Sequence, residues 1–585
     1  MPDLEDIIPK PLVHIYNDNI QTVVKDLIKE NINDSKTLQQ FIREKRKKYN
    51  SAFGNKQLLY AYRKMLQENK IEKNKNCENI LKAKASRGLS GVIVITVMTS
   101  PNPTYIKNGQ KITQNFSCEF NCHFCPKEPG QPRSYLLDEP SVSRANRNNF
   151  DPILQFNDRA HAYEVNGHPL DKIELLILGG TWSSYPPEYH VDFITDIFYS
   201  ANCYSMTIKR ARLSLQEEQE ANETAMIKII GLTIETRPDQ INLEEITRFR
   251  ILGVTRVQLG IQHTDNLILN KINRQCTVET AIKAIKLLKD NGFKVDIHIM
   301  PDLPGSSYEK DLEMFKYILN SGDLQADQWK IYPCQVTPYT KIKDWYLEGN
   351  YFPYSDSDVK PNPLIELLIN VKSKVPRWIR LNRIIRDIPN QYIIGGNKVT
   401  NLRQAIQTEM KKRNLRCECI KCREIKNNPK NITKMKFFTD TYIGSQGTEI
   451  FLQYASEDEK NLFGFLRLRL ADNDYSDVIN EIRNCALIRE LHVYGQVVAV
   501  NSTNKDEVQH IGIGKKLIKK AEKIAISNCY NKIAVISGVG VKNYYRKIGF
   551  VDRDYYLIKQ LDSNQNTYHM IFCWMFLIFY FVFFF

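Results

Sequence analysis

From Gly91 onward the chain carries short apolar runs rich in β-branched residues, separated by stretches with helical spacing. The runs are 92–97 (VIVITV), 173–178 (IELLIL), 229–235 (IIGLTIE), 256–260 (RVQLG), 295–300 (VDIHIM) and 329–332 (WKIY). Each is short enough for a buried strand. Between two of them, 278–291 (VETAIKAIKLLKDN) places apolar residues on one helical face and stops at Gly292. Strands alternating with helices predict a parallel α/β sheet, with enough units for a full or partial barrel. Chemistry in such barrels gathers at the C-terminal strand ends. Gly179-Gly180-Thr181, Glu235-Thr236-Arg237-Pro238 and Pro301-Asp302-Leu303-Pro304-Gly305 fall there. Residues 1–90 read as polar helices, and 396–436 as a connector rich in Cys, Lys and Asn. A second α/β unit over 437–562 shows strands at 464–470, 489–498 and 533–537 and an amphipathic helix at 515–528. The barrel unit then spans 91–395, and 563–585 forms a hydrophobic tail. No internal repeat is visible.

Charge sharpens this picture. Lys and Arg exceed Asp and Glu by 81 to 66, a net +15. Residues 36–87 alone hold fifteen bases against four acids, which is +11. Such an arm suits a polyanion, or else a solvated helical lead-in. Thirteen cysteines in 585 residues are too dilute for a disulfide scaffold. Six of them form two tight trios, Cys118/Cys122/Cys125 and Cys417/Cys419/Cys422, which points to metal chemistry in a reducing, cytosol-facing compartment. The first residues lack a signal-peptide pattern. At the other end, 570–585 (MIFCWMFLIFYFVFFF) is sixteen residues without charge. That falls short of the roughly 20 a spanning helix needs, leaving a tail anchor with membrane contact or a weakly anchoring extension as readings.

Cys118-x3-Cys122-x2-Cys125 can hold three irons of a [4Fe–4S] cluster and leave the fourth open. A zinc loop is the alternative, but no second couple lies nearby. Gln509-His510-Ile511-Gly512-Ile513-Gly514 opens a helix, where glycines let backbone N–H groups face a pyrophosphate. The second trio reads as a structural Zn2+ site with Cys334 as candidate fourth ligand, or as free thiols.

The first cysteine spacing is similar to that of radical S-adenosylmethionine enzymes. Gly179-Gly180-Thr181 resembles their turn that lets backbone approach the methionine amino group. The glycine turn and the chain beyond it, through Tyr544-Tyr545 to Gly549-Phe550, resemble the GCN5-related N-acetyltransferases. With GLTIETRPD (231–239), MPDLPG (300–305), KIYP (330–333), RIIRDIP (383–389), RELHVYG (489–495) and ISGVGVKNYY (536–545), the chain resembles the Elongator catalytic-subunit family (elongator complex protein 3) from about 43 to 558. Its members are tRNA uridine(34) acetyltransferases, or carboxymethyluridine synthases. One departure is an insertion over 105–115, with a shorter gap between the first two cluster cysteines than eukaryotic relatives show.

The resemblance implies a radical S-adenosylmethionine partial barrel followed by an N-acetyltransferase domain. Its cofactors would be a [4Fe–4S] cluster, S-adenosylmethionine and acetyl-CoA. It places acetyl-CoA at Lys172, Glu490, Leu491, His492, Val493, Gln509, Gly512, Ile513, Gly514, Lys515 and Tyr545. Lys172, Tyr544 and Tyr545 are the catalytic candidates, a tyrosine acting as general acid. The implied reaction moves a radical from S-adenosylmethionine to the acetyl methyl group, which adds to C5 of wobble uridine; thioester hydrolysis leaves 5-carboxymethyluridine. The implied partners are a tRNA anticodon stem-loop and other Elongator subunits, in the cytoplasm and also the nucleus. A competing reading is a histone or tubulin lysine acetyltransferase with a structural cluster. A third is a membrane-tethered scaffold.

Overall fold

The computed structural model describes residues 16–82, 91–399, 401–425, 435–471, 477–494 and 512–561. Residues 495–498 of the expected strand, Gln509–Ile511 of the glycine signature and the 563–585 tail lie outside them. Among the described residues no helix is long and apolar enough to cross a membrane.

Four helices open the described chain: Asp18–Glu30, Ser35–Tyr49, Asn55–Gln67 and Lys75–Leu81. The side chains of Asn17, Asp34 and Asn74 accept the first backbone N–H groups of three of them. Ile20, Val24, Phe41, Leu59 and Tyr62 pack between them in a small core of their own.

A seven-stranded parallel sheet follows. Its strands are β1 (Ile93–Met98), β4 (Lys172–Leu178), β5 (Lys228–Thr236), β6 (Arg256–Gln262), β7 (Lys294–Ile299), β8 (Gln328–Ile331) and β9 (Arg380–Arg383). They pair in that order. A parallel strand cannot return by a tight turn, so helices such as Val278–Asp290 make the crossovers and bury their apolar faces on the sheet. β1 and β9 are the two edges, which leaves the barrel partial. The hairpin β2 (Thr104–Lys107) and β3 (Gln110–Thr113) occupies the insertion seen in the sequence. Sequence patterning misses β9 because Arg-Leu-Asn-Arg buries only its leucine fully and has no apolar run.

The second sheet has the order β10-β11-β12-β13-β14-β16-β15. Its strands are β10 (Met435–Gly444), β11 (Gly447–Ser456), β12 (Leu462–Leu470), β13 (Cys485–Val493), β14 (Lys532–Val535), β15 (Val551–Arg553) and β16 (Tyr556–Gln560). Only β13 and β14 pair in parallel. The helix Ile513–Ser527 lays Leu517, Ile518, Ala521 and Ala525 on this sheet. The β10–β11 hairpin begins where the sequence reading ended its connector. Alternating polar positions in β10 gave it no apolar signature.

The two sheets meet through buried charge. Asp327, just before β8, takes both Arg489 Nη atoms at 2.7 and 2.8 Å. Arg489 also donates to Glu449 (2.6 Å), and Arg469 to Glu449 (2.9 Å) and Asp290 (2.5 Å). Arg467 joins Asp327 and Glu490 at 3.6 and 2.9 Å. Nearby, Trp378 stacks on Tyr442 with centroids 4.3 Å apart.

Candidate active site between the two sheets

Backbone hydrogen bonds hold the loop 117–125 against the barrel. Thr181 N–H donates to the Ser117 carbonyl (3.2 Å), His123 N–H to Ile272 (3.0 Å), and Lys341 N–H to His123 (3.0 Å). Gly179 and Gly180 have φ of 116° and 68°, outside the range of most side-chain-bearing residues. A Cβ at Gly180 would stand 2.0 Å from the Ser117 oxygen, and one at Gly179 2.4 Å from Thr99 Oγ1. Gly180 therefore lets the cysteine loop pass against the end of β4, and Gly179 lets Thr99 after β1 do the same, roles that sequence reading alone did not assign. Cys118 Sγ sits 3.1 Å from Thr181 Oγ1, so the glycine-threonine turn and the first cysteine form one unit.

Around Cys122 the loop is strongly basic. Arg274 and Arg237 bring Nη1 to 3.6 and 3.7 Å from its sulfur. Arg237 is 2 % exposed and lies 3.6 Å over the Phe120 ring. Arg133 donates to Asn121 at 2.8 Å. A hydrogen bond from Cys125, then the field of Arg274 and Arg237, lowers the Cys122 thiol well below its usual range. The three thiols do not all lie within the 4.8 Å of one another that gathers the second trio. Spread thiolates amid buried arginines fit a multi-iron cluster, whose thiolates bring excess negative charge. The sequence quoted Arg237 only as part of a motif; its buried position at a strand end is what gives it meaning.

From Phe124 and Pro126 beside this loop, a cavity of about 1110 Å³ extends through the barrel interior to Phe465, Arg467, Glu490 and His492 of the second sheet. Paired charges line it. Glu235 accepts from Tyr135 (3.0 Å) and Lys330 (3.1 Å), and Lys330 also donates to Gln258. Burial, then the Lys330 cation, pushes His298 down to about 3. Its imidazole is neutral at neutral pH, so its 3.8 Å approach to Glu235 is not an ion pair. Farther along, Arg256 meets Glu174 at 2.7 Å and Glu490 at 3.8 Å. Arg144, Arg159, Arg383 and Arg403 add positive charge to the wall.

At the far end β13 diverges from β14. Their ladder stops at Ile488–Val535, while β13 stays paired to β12 through Val493, with a bulge between Arg467 and Leu468. Glu490, Leu491, His492 and Val493 thus extend past β14 beside the start of helix Ile513–Ser527. Gly512 caps that helix with φ 73°, and Ile513 is buried while Lys515 is exposed. A Cβ at Gly514 would meet Tyr544 Oη at 2.7 Å and Leu491 at 3.7 Å. The two tyrosines separate here. Tyr544 brings its hydroxyl to the helix start, while Tyr545 is buried against Phe550 with centroids 5.6 Å apart. Burial raises the pKa of Tyr544, which keeps its proton available for donation. Lys172 opens β4, where it pairs in register with Lys228, and stands two residues before the cavity-lining Glu174 on the same strand face. The turn before Tyr544 packs there, since a Cβ at Gly540 would stand 2.6 Å from the Lys228 Cβ.

Cys417, Cys419 and Cys422 bring their sulfurs within 4.8 Å of one another. Cys334 does not join them, which corrects the expected fourth ligand. Its N–H is tied to the Pro301 carbonyl (2.8 Å) and its thiol is buried in the barrel core, because the chain after β8 turns toward the PDLPG loop.

Residues 115–318 match the Radical SAM superfamily and 326–412 the Radical_SAM C-terminal domain. The chain is 40% identical over 498 residues to the tRNA uridine(34) acetyltransferase of Methanocaldococcus jannaschii, covering 83% of this chain and 87% of that protein. It is 34% identical over 495 residues to human Elongator complex protein 3, covering 82% and 86%. The solved structure of Methanocaldococcus infernus Elp3 lacking residues 1–46 aligns with a TM-score of 0.66 at 37% identity, covering 80% of this chain and 99% of that one. With a partial barrel carrying the three-cysteine loop and an acetyltransferase-type sheet closing its cavity, the chain belongs to the radical S-adenosylmethionine family of tRNA uridine(34) acetyltransferases and Elongator complex protein 3.

Proposed function

We propose that this chain modifies wobble uridine 34 of tRNA, forming 5-carboxymethyluridine from acetyl-CoA as the catalytic subunit of an Elongator-like complex. One observation carries the reading: a single cavity joins the cysteine loop to the end of β13 that runs past β14. An enzyme acetylating protein lysines would need only the second of these ends. Cys118, Cys122 and Cys125 would hold the cluster, and the turn at Gly179-Gly180-Thr181 would face S-adenosylmethionine. When bound, the two supply a hydrogen-abstracting radical. The chain's own residues do the rest. The β13 edge from Glu490 to Val493 and the helix start at Gly514 orient the thioester and the pyrophosphate. Tyr544 holds the proton suited to the departing thiol. The paired charges of Glu235, Lys330 and Arg256 preset the cavity wall, so that little reorganisation accompanies reaction. Lys172, at the start of β4 and on the face that carries Glu174, would contact acetyl-CoA from the barrel side.

RNA would reach the basic cavity wall and the helical bundle. There Arg43, Lys47 and Lys48 are exposed, whereas Lys45 is engaged by Asp26 at 2.6 Å. Zn2+ would fit the second trio, whose close sulfurs match tetrahedral ligation of one ion. Mass spectrometry of wobble nucleosides after depletion of the protein tests the reading. Loss of carboxymethyl-derived uridines is expected, and unchanged levels would overturn it.

A further inference from the structure

The second cysteine trio stands apart from the three-cysteine loop, on a segment whose Cys422 also reaches the wall of the large cavity. Cys419 caps the short helix Ile420–Arg423, and the N–H groups of Cys422 and Arg423 both return to its carbonyl, at 3.0 and 3.2 Å. That tight turn aims Cys417, Cys419 and Cys422 at one point, with all sulfurs within 4.8 Å. Such spacing suits one ion at about 2.3 Å from each thiolate. Among the described residues, no fourth Cys, His, Asp or Glu shares the site.

Space and positive charge adjoin it instead. A pocket of about 340 Å³ opens beside Cys417 and Cys422, lined also by Lys372, Lys411 and Arg416. Lys372, on the helix Pro363–Lys374, is 0% exposed, and its ammonium has no hydrogen-bond partner. A buried, unpartnered cation is strongly unfavourable unless negative charge faces it. Three thiolates around a divalent ion carry one net negative charge, which a single ammonium neutralises.

We propose that Cys417, Cys419 and Cys422 hold a zinc-class ion whose fourth position opens to this pocket. A solvent oxygen fills that position and a small anion can exchange for it, with Lys372 as the buried counter-ion. This rests on the zinc reading of the trio. Structural zinc sites are ordinarily closed by four protein ligands, whereas an open position marks a site that can bind or exchange a ligand.

X-ray absorption at the zinc edge tests this on the full chain, with the first trio filled by iron through anaerobic reconstitution. Three sulfurs and one light atom are expected, and added bromide should replace the light atom by a heavier scatterer. Four sulfurs, or a shell that bromide leaves unchanged, overturn the open position while leaving zinc in place. Absence of zinc overturns the zinc reading itself. Lys372→Met should weaken zinc retention against a chelator 10–100-fold, the range for removing a supporting group around a metal site, and Lys372→Arg should recover most of it. Unchanged retention in Lys372→Met would remove Lys372 from the proposal. Should that variant fold poorly, the absorption measurement on the unaltered chain still decides.

Discussion

Asp327→Asn is the most incisive perturbation of the joint between the two sheets. Asp327 and its partners Arg467, Arg489 and Glu449 are essentially shielded from water. The carboxylate accepts two hydrogen bonds from Arg489 and one from the Val295 N–H at 2.8 Å. The joint is charge-balanced: Asp290, Asp327, Glu449 and Glu490 stand against Lys289, Arg467, Arg469 and Arg489. Removing one member of a buried pair typically costs about 3–5 kcal/mol, because the partner charge is left buried. Arg489 keeps Glu449 here, which places the expected loss near about 3 kcal/mol, a large share of the ~5–15 kcal/mol that holds a domain folded. The arginines hold the Asp327 carboxyl far below its usual range, outweighing the burial that opposes ionisation. A depressed folded-state value gives stability that is full above the unfolded value, about 3.9, and fades as pH falls below it. The difference between the unaltered chain and the variant should therefore be constant from pH 5 to 8 and shrink below about pH 4. Urea unfolding of Asp327→Asn, Arg489→Gln and the double variant gives the coupling between the two residues. Asp26→Asn, which breaks a surface pair, should cost no more than about 1 kcal/mol. A loss below about 1 kcal/mol for Asp327→Asn, or strictly additive single effects, would refute this account of the joint.

Other outcomes concern the site itself. Replacing Cys118, Cys122 and Cys125 by Ser should abolish 5′-deoxyadenosine formation from S-adenosylmethionine, and persistence of that product would sink the cluster assignment. Gly180→Ala should lower iron content per chain, because its Cβ meets the Ser117 carbonyl; full iron loading would show that the loop can yield. Gly514→Val should stop acetyl-CoA turnover and remove the carboxymethyl product while leaving the cluster absorbance unchanged, since its Cβ meets Tyr544 and not the cysteine loop. Arg237→Gln should lower the cluster's reduction potential in EPR-monitored titration, as a cation beside Cys122 favours the more negative reduced form; an unmoved potential would show that Arg237 only props the loop. Reversing Arg43, Lys47 and Lys48 to Glu should reduce the salt slope of tRNA binding by about 0.7–0.9 for each phosphate no longer neutralised, and an unchanged slope would leave the RNA to the barrel surface.

The sequence by itself determined the parts that depend on local pattern. Apolar residues located β1, β4, β5, β6, β7 and β8, since one face of each strand is buried in the core and stays apolar even where Glu174, Glu235, His298 and Lys330 face the cavity. The cysteine spacing and the glycine helix start were legible because each is a short segment whose chemistry needs few residues in fixed order. Polar strands escaped. β9 and β10 owe their place to pairing with neighbours already in the sheet, which no single-chain periodicity records. Only the tertiary structure decided which charges matter. Arg237 and Arg274 approach one sulfur from positions 37 residues apart in sequence, and Asp327 and Arg489 meet across 162. It also separated Tyr544 from Tyr545, because adjacent residues on a helix point about 100° apart and only packing fixes which one faces the helix start at Gly514. Cys334 was drawn away from the second trio for the same kind of reason. Its strand carries it into the barrel core, and proximity in space follows from where the strands end, not from the residue type.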